Sequence, residues 1–173
     1  PFLSTAIMSA HLLNQAGATD PLAGMASGDY RVGIAFGDFV GSRKGTVVES
    51  ASKLSGQSLY ALDASADAYL VALADGRIYM VESEHLDRKL LTTIDTTRSV
   101  CELNFDQTPA CLVTEDAQLV RDTLYRGRAI QAADTLGAAQ YMLDQAVAYS
   151  LDRKQFNRVI GSFQAVKHMC AEM

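Results

Sequence analysis

The spacing of apolar residues divides the chain into three segments of different character. Over residues 2–17, apolar side chains recur at the three- and four-residue steps of a helix, with no interior glycine or proline. Asp20 is followed by proline, which is a typical cap and first-turn signal and predicts a second, short helix over residues 20–27. We expect residues 1–28 to be the end of a helical domain.

The middle segment, residues 29–113, consists of short apolar or β-branched runs separated by Gly, Ser and Asp. This regular spacing predicts a β domain built as an antiparallel sandwich or barrel. The plainest hairpin signal is AYLVALADGRIYMV, in which Asp75 and Gly76 stand between two strand-like runs. A two-residue type I′ turn needs positive φ at both central residues, and Asp-Gly suits that need. We therefore predict a type I′ hairpin at this pair.

The third segment, residues 114–173, contains no proline and predicts a helical bundle. Glu115 and Asp116 suit the first turn of a helix, where they meet the positive end of its dipole. Small and apolar residues then recur at steps of three or four, namely Ala132, Leu136, Ala139, Leu143, Ala146 and Ser150. A break is predicted near Asn157 and Arg158, followed by a second helix antiparallel to the first. The order of helical segment, β domain and helical bundle is an α+β fold class.

Composition narrows the classes of function. The 173 residues carry a net charge of −5, which argues against a general nucleic-acid binder. No stretch approaches the apolar length of a membrane span. The three cysteines lack CxxC spacing and the three histidines are isolated, so we expect reduced thiols of a cytoplasmic protein and no metal site. Because the chain begins and ends inside apolar helical patterns, we expect an internal stretch of a longer polypeptide.

The most informative stretch is YSLDRKQF, residues 149–156. Arg153 can offer a planar fork of donors to a phosphate, and Phe156 can stack on a flat ring. A dinucleotide presents both a pyrophosphate and flat rings, so the pair suits a dinucleotide cofactor. Spacing alone favours the alternative, a solvated charged helix end with Phe156 in the core.

Residues 133–173 as a whole resemble the C-terminal domain of acyl-CoA dehydrogenases. The shared pattern is a Leu-Gly-x-Ala helix, a Tyr, then Arg-x-x-Phe, an Ile, a Gln and an Ala-x-Met ending. The resemblance implies an FAD-dependent enzyme that introduces an α,β double bond into an acyl-CoA thioester. It also implies electron-transfer flavoprotein as the electron acceptor. The family shows the same order of helical, β and helical parts.

The resemblance assigns cofactor contacts to five positions. The family residues matched by Arg153 and Phe156 reach into the neighbouring subunit and contact the pyrophosphate and rings of its FAD. The positions matched by Gln155, Phe163 and Gln164 line the same cofactor. We therefore expect these five residues to form an FAD-binding site across a subunit interface.

The resemblance assigns one residue to substrate binding and identifies no catalytic base within the chain. Arg128 matches an arginine that approaches the acyl-CoA, although an exposed helix charge is an equal alternative. The catalytic carboxylate lies in most of the family beyond the position of Met173. In some members it stands at the position of Gly127, and glycine cannot serve as a base. Asn157 replaces the usual glycine of the Arg-x-x-Phe-Gly motif and tolerates the left-handed conformation that a turn requires.

The β domain departs from the family at both of its flavin-contacting elements. The family's Thr-Glu-Pro-x-x-Gly-Ser-Asp loop is replaced by GIAFGDFVGSRKG, residues 33–45, and its Trp-Ile-Thr stretch by YALDASADAYL, residues 60–70. The chain contains no tryptophan. We therefore expect an accessory subunit of an α2β2 enzyme, similar to bacterial dehydrogenases of steroid side-chain CoA thioesters. The alternatives are a homotetrameric dehydrogenase, an acyl-CoA or nitroalkane oxidase, and a non-catalytic scaffold subunit.

Overall fold

The computed structural model describes residues 2–41 and 46–173. It divides into two compact units, Pro1–Arg128 and Ala129–Met173. The division into domains 1–28, 29–113 and 114–173 stays a prediction.

The first unit begins with helices that cover one face of a sheet. A π-helical segment, Phe2–Ser9, runs into α1 (Ala10–Gln15), and α2 (Asp20–Ser27) follows with the bounds that the Asp-Pro signal predicts. The Ser9 hydroxyl donates a hydrogen bond of 2.7 Å to the carbonyl oxygen of Val32 and so ties the helices to the first strand. The prediction of a short helix over residues 20–27 is confirmed.

Eight strands form one mixed sheet. In chain order the elements are β1 (Val32–Ala35), α3 (Gly37–Val40), β2 (Val48–Ser50), β3 (Lys53–Leu62), β4 (Ala68–Ala72), β5 (Ile78–Glu82), β6 (Asp87–Leu91), β7 (Val100–Pro109) and β8 (Cys111–Thr114). The strand order is β6-β7-β3-β1-β4-β5-β8, and β2 pairs with β3. The α+β class is confirmed, but the sheet is not wholly antiparallel as predicted, because β1 pairs with β4 in parallel. Local apolar spacing marks strands and does not specify which distant strands become neighbours.

The central strand β4 contributes to both cores of the first unit. Successive side chains of a strand point to opposite faces of the sheet. Tyr69 and Val71 therefore join one buried cluster, whereas Leu70 and Ala72 join a second cluster with Leu12 of α1 and other helical residues. Every residue of β4 is buried. Burial on both faces is typical of a strand with a parallel neighbour.

The hairpin between β4 and β5 lies where the sequence predicts it, but its turn has another geometry. The Leu73 N–H donates to the Arg77 carbonyl at 2.9 Å, and the Gly76 N–H donates to the Leu73 carbonyl at 3.0 Å. Gly76 has a φ of 95°, whereas Asp75 does not have positive φ. The loop is thus the three-residue kind with one left-handed glycine, and the prediction of a type I′ turn here is wrong.

The second unit contains two helices joined by a small hairpin. The long helix α4 (Ala117–Asp152) begins in the first unit and continues into the second. It is followed by β9 (Lys154–Gln155), β10 (Arg158–Val159), a 3-10 turn over Ile160–Ser162, and α5 (Gln164–Glu172). The predicted break lies in this hairpin, and the helix itself ends earlier, at Asp152.

Candidate functional site

The predicted cofactor-binding residues of the second unit lie on the hairpin and the start of α5. Strands β9 and β10 are antiparallel, with Gln155 opposite Arg158. The turn between them is therefore the pair Phe156 and Asn157, and both residues have positive φ, 51° and 60°. These are the conformational requirements of a type I′ turn. The turn type that the sequence places at Asp75 occurs here instead.

Phe156 is held in an unusual backbone conformation. Asparagine adopts positive φ readily, but a bulky aromatic residue rarely does, because its Cβ crowds the following carbonyl. Residues strained in this way persist where the surrounding structure enforces them, and they concentrate at functional sites. The side chain of Phe156 is 86% exposed, so core packing does not account for its position. Phe156 is therefore not part of the core that the described residues form.

Phe156 contacts a second aromatic ring of the predicted site. The centroids of Phe156 and Phe163 are 6.1 Å apart, and their planes meet at 77°. This edge-to-face arrangement is favourable for two aromatic rings. The Cζ atom of Arg158 lies 4.0 Å from the centroid of Phe163 and covers that ring. Arg158 was not among the predicted site residues, and its signal in the sequence was a cation at the predicted break.

Arg153 combines a fixed backbone with an exposed side chain. Its N–H donates to the Tyr149 carbonyl at 2.9 Å, and its own carbonyl accepts from the Ile160 N–H at 2.8 Å. Among the described residues no carboxylate forms an ion pair with its guanidinium. The side-chain amide of Gln155 donates to the Lys154 carbonyl at 2.8 Å. Gln164 is the exposed first residue of α5.

Gly161 lets the chain pass close to the end of α4. A Cβ atom built on it would come within 3.0 Å of both the carbonyl oxygen and the hydroxyl of Ser150. Ser150 is buried, and its hydroxyl donates to the Val147 carbonyl at 2.8 Å. The 3-10 turn is thereby held against α4, so that Phe163 follows at a defined distance from the hairpin.

Arg128, the predicted substrate-binding residue, belongs to the first unit. Its Cζ atom lies 5.6 Å from the ring centroid of Tyr125, and that of Arg121 lies 5.8 Å from the ring centroid of Phe39. Both arginines lie along a groove beside α3, whose lining residues are Phe39, Val40, Arg121, Leu124, Tyr125 and Arg128. The groove thus offers two cations and an apolar floor to an anionic, partly apolar ligand.

Gly127 is buried and packs on the N-terminal helix. A Cβ atom built on it would come within 2.7 Å of the sulfur atom of Met8. The position at which the resemblance would place a base in some members is therefore used here for close helix packing.

The two segments expected to match flavin loops, residues 33–45 and 60–70, use acidic residues in contacts within the chain. Of residues 33–45, positions 42–45 lie outside the described residues. In the described part, the buried Asp38 carboxylate accepts the Val47 N–H at 3.0 Å. Burial raises the pKa of Asp38 above its usual value, while the Val47 hydrogen bond acts in the opposite direction. In residues 60–70, the buried Asp63 carboxylate accepts the Thr5 hydroxyl at 3.0 Å.

Two features are absent from the described residues, 2–41 and 46–173. They contain no group of three or more His, Cys, Asp or Glu side chains that could hold a metal ion. Within the same residues, no helix is long and apolar enough to cross a membrane.

Comparison with known proteins identifies the family. Residues 117–173 match the family model for the acyl-CoA dehydrogenase C-terminal domain. The chain is 30% identical over 151 residues to the acyl-CoA dehydrogenase FadE34 of Mycobacterium tuberculosis, covering 86% of this chain and 20% of that protein. It is 31% identical over 174 residues to the acyl-CoA dehydrogenase IpdE2 of Mycolicibacterium smegmatis, covering 100% of this chain and 46% of that protein. The chain belongs to the acyl-CoA dehydrogenase family. It spans less than half of the length of these two relatives.

Solved structures of acyl-CoA dehydrogenases have the same fold. A variant of the Tcur3481-Tcur3483 steroid ACAD matches with a TM-score of 0.82 and 27% identity, over 99% of this chain and 51% of that one. Butyryl-CoA dehydrogenase from Megasphaera elsdenii matches with a TM-score of 0.83 and 20% identity, over 98% and 52%. The expected acyl-CoA dehydrogenase fold is confirmed.

Proposed function

We propose that this chain is the accessory subunit of a flavin-dependent acyl-CoA dehydrogenase and contributes FAD contacts across a subunit interface. The observation that carries the proposal is the turn at Phe156, which holds an aromatic ring in solvent at the expense of backbone strain. Arg153 lies between the end of α4 and the start of β9, and hydrogen bonds hold its backbone. Among the described residues, no carboxylate forms an ion pair with its side chain.

The hairpin suits the two chemical parts of FAD. The Arg153 guanidinium can donate two parallel hydrogen bonds to a pyrophosphate, and Phe156 can stack on a flat ring system. Gln155 and Gln164 add neutral donors and acceptors next to these groups. Because the hairpin backbone is already ordered, little conformational entropy is lost when the cofactor binds. Bound FAD would accept the hydride from the β-carbon of the substrate.

The chain shows no residue for removing the α-proton among those considered, which suggests that it depends on a partner subunit. Gly127 cannot remove the α-proton, and Asp38 and Asp63 are engaged internally. Arg128, beside Arg121, is proposed to contact the acyl-CoA. We propose that a related subunit in an α2β2 assembly supplies the intact flavin loop and the base.

The relatives support this assembly and its redox partner. The name of the steroid ACAD joins two gene products, which suits a heteromeric enzyme and a steroid acyl-CoA substrate. One relative, from Acetobacterium woodii, is a subunit of a caffeyl-CoA reductase-Etf complex, and it is 45% identical over 51 residues. This supports electron-transfer flavoprotein as a redox partner, and we propose that it accepts the electrons from this enzyme in the cytoplasm.

The decisive experiment is a flavin count on the full-length chain, purified alone and co-expressed with a related subunit. The accessory role predicts no stoichiometric FAD on the lone chain and one FAD for every two chains in the complex. One FAD per chain, with turnover of acyl-CoA by the lone chain, would instead establish a homotetrameric dehydrogenase. Oxygen consumption without an added acceptor would identify an oxidase.

Replacing Phe156 with glycine should change stability and flavin retention in opposite directions. Glycine accepts positive φ without strain, so the complex should become more stable by up to about 1 kcal/mol. Loss of the ring should speed flavin release by about fivefold, since stacked rings contribute on the order of 1 kcal/mol beyond their buried area. Urea unfolding and the flavin fluorescence recovered after dilution measure the two effects. The substitution Asn157→Gly is the control, because it relaxes the same turn and leaves the ring.

A further inference from the structure

Arg158 adds a cation to the pair of aromatic rings formed by Phe156 and Phe163. Its Cζ atom is 4.0 Å from the centroid of Phe163, close enough for the guanidinium to lie against one face of that ring. The ring of Phe156 meets Phe163 edge to face. Phe163 therefore has both the guanidinium and the exposed ring as neighbours.

The three side chains differ in what they leave open to a ligand. Phe156 is 86% exposed, whereas Phe163 is half-buried and has the Arg158 guanidinium against it. Among the described residues, no carboxylate forms an ion pair with Arg158, and its guanidinium lies over the Phe163 ring. The ring presented to a ligand is therefore Phe156, and Phe163 is the surface on which it rests.

We propose that Arg158 is a positioning residue for the cofactor. By stacking on Phe163 it fixes the ring that supports Phe156, and it thereby holds Phe156 in place for the flat rings of a flavin nucleotide. The hairpin register makes this possible, because Arg158 is the first residue after the turn and lies opposite Gln155. The inference rests on the proposed function, since it requires a flavin nucleotide at this hairpin.

A double-mutant cycle on the co-expressed complex tests the inference. The variants are Arg158→Gln, Phe163→Leu and the two combined, and the measurement is the rate at which FAD leaves the complex, followed by flavin fluorescence. Arg158→Gln should speed release about two- to five-fold, the effect of one exposed cation–π contact. In the Phe163→Leu background it should have no further effect. Arg158→Lys should restore part of the retention, because an ammonium group is also attracted to the ring.

Lys154→Gln is the matched control, because it removes a positive charge from the other strand of the hairpin. It should leave the release rate unchanged. An equal effect of Lys154→Gln, or an undiminished effect of Arg158→Gln in the Phe163→Leu background, would mean that Arg158 acts through its charge and not through the ring. Either result overturns the positioning role.

Failure of this inference can be told from failure of the proposed function. If Arg153→Ala and Phe156→Gly speed release while Arg158→Gln does not, the positioning role is wrong and the flavin contact stands. If none of the three variants changes the release rate, the hairpin does not bind the cofactor and both proposals are wrong.

Discussion

Replacing Arg153 with alanine should release FAD from the assembled enzyme about ten- to a hundred-fold faster. A hydrogen bond to a charged group contributes about 1.5–3 kcal/mol, and each 1.4 kcal/mol corresponds to a factor of ten. The backbone of Arg153 is held by Tyr149 and Ile160, so the substitution removes the guanidinium without loosening the hairpin. Stopped-flow flavin fluorescence on the co-expressed complex measures the rate.

Two further variants make the Arg153 experiment specific. Arg153→Lys keeps the charge but loses the planar fork, and it should give an intermediate rate. Lys154→Ala removes the neighbouring cation and should release FAD at the unmodified rate. Retention of FAD by the Arg153→Ala complex at the unmodified rate would favour the alternative of a non-catalytic scaffold subunit.

The substitution Gly56→Ala should destabilise the first unit by about 2–5 kcal/mol. Gly56 lies at a register shift between β3 and β7 and has a φ of 112°, which costs a residue with a Cβ atom about 1–2 kcal/mol. The added Cβ would also approach the Thr46 carbonyl oxygen to 2.0 Å, so backbone has to move. Overpacking of this kind adds about 1–3 kcal/mol. Urea unfolding followed by circular dichroism measures the change.

Gly28→Ala separates the two causes. Gly28 also has positive φ, at 85°, but an added Cβ would meet no atom within 4 Å. This variant should therefore lose about 1–2 kcal/mol, the cost of the strained backbone alone. Equal losses for Gly28→Ala and Gly56→Ala would show that the contact with Thr46 is relieved without cost.

Local signals in the sequence were sufficient for some elements. The helix over residues 20–27 was predictable because Asp20 and Pro21 act within one turn of chain. The location of the β4–β5 hairpin was predictable for the same reason. The turn type of this hairpin was not predictable, because the sequence Asp-Gly is compatible both with a type I′ turn and with a three-residue loop that has one left-handed glycine.

Features that depend on distant residues were not predictable. The parallel pairing of β1 with β4 is set by tertiary packing, and the apolar pattern of either strand does not contain it. The type I′ turn at Phe156 was missed because propensity disfavours an aromatic residue there. Arg158 was missed because its place over Phe163 depends on the hairpin register. The five cofactor-binding residues came from family resemblance and remain predictions.

The parallel pair at the centre of the sheet also constrains how the first unit folds. In the sheet β1 lies between β3 and β4. Neither neighbour is joined to β1 by a tight turn, because β2 precedes β3 in the chain and both β2 and β3 precede β4. Closing the long loop between β1 and β4 costs chain entropy before the paired strands make stabilising contacts. The hairpin of β4 and β5 can form early from local contacts. The N-terminal helices pack on β1 and β4, so they lack a complete packing surface until β1 has joined the sheet. Refolding of this unit should therefore be limited by a contact between distant parts of the chain, and its N-terminal helices should be the last to gain protection from hydrogen exchange.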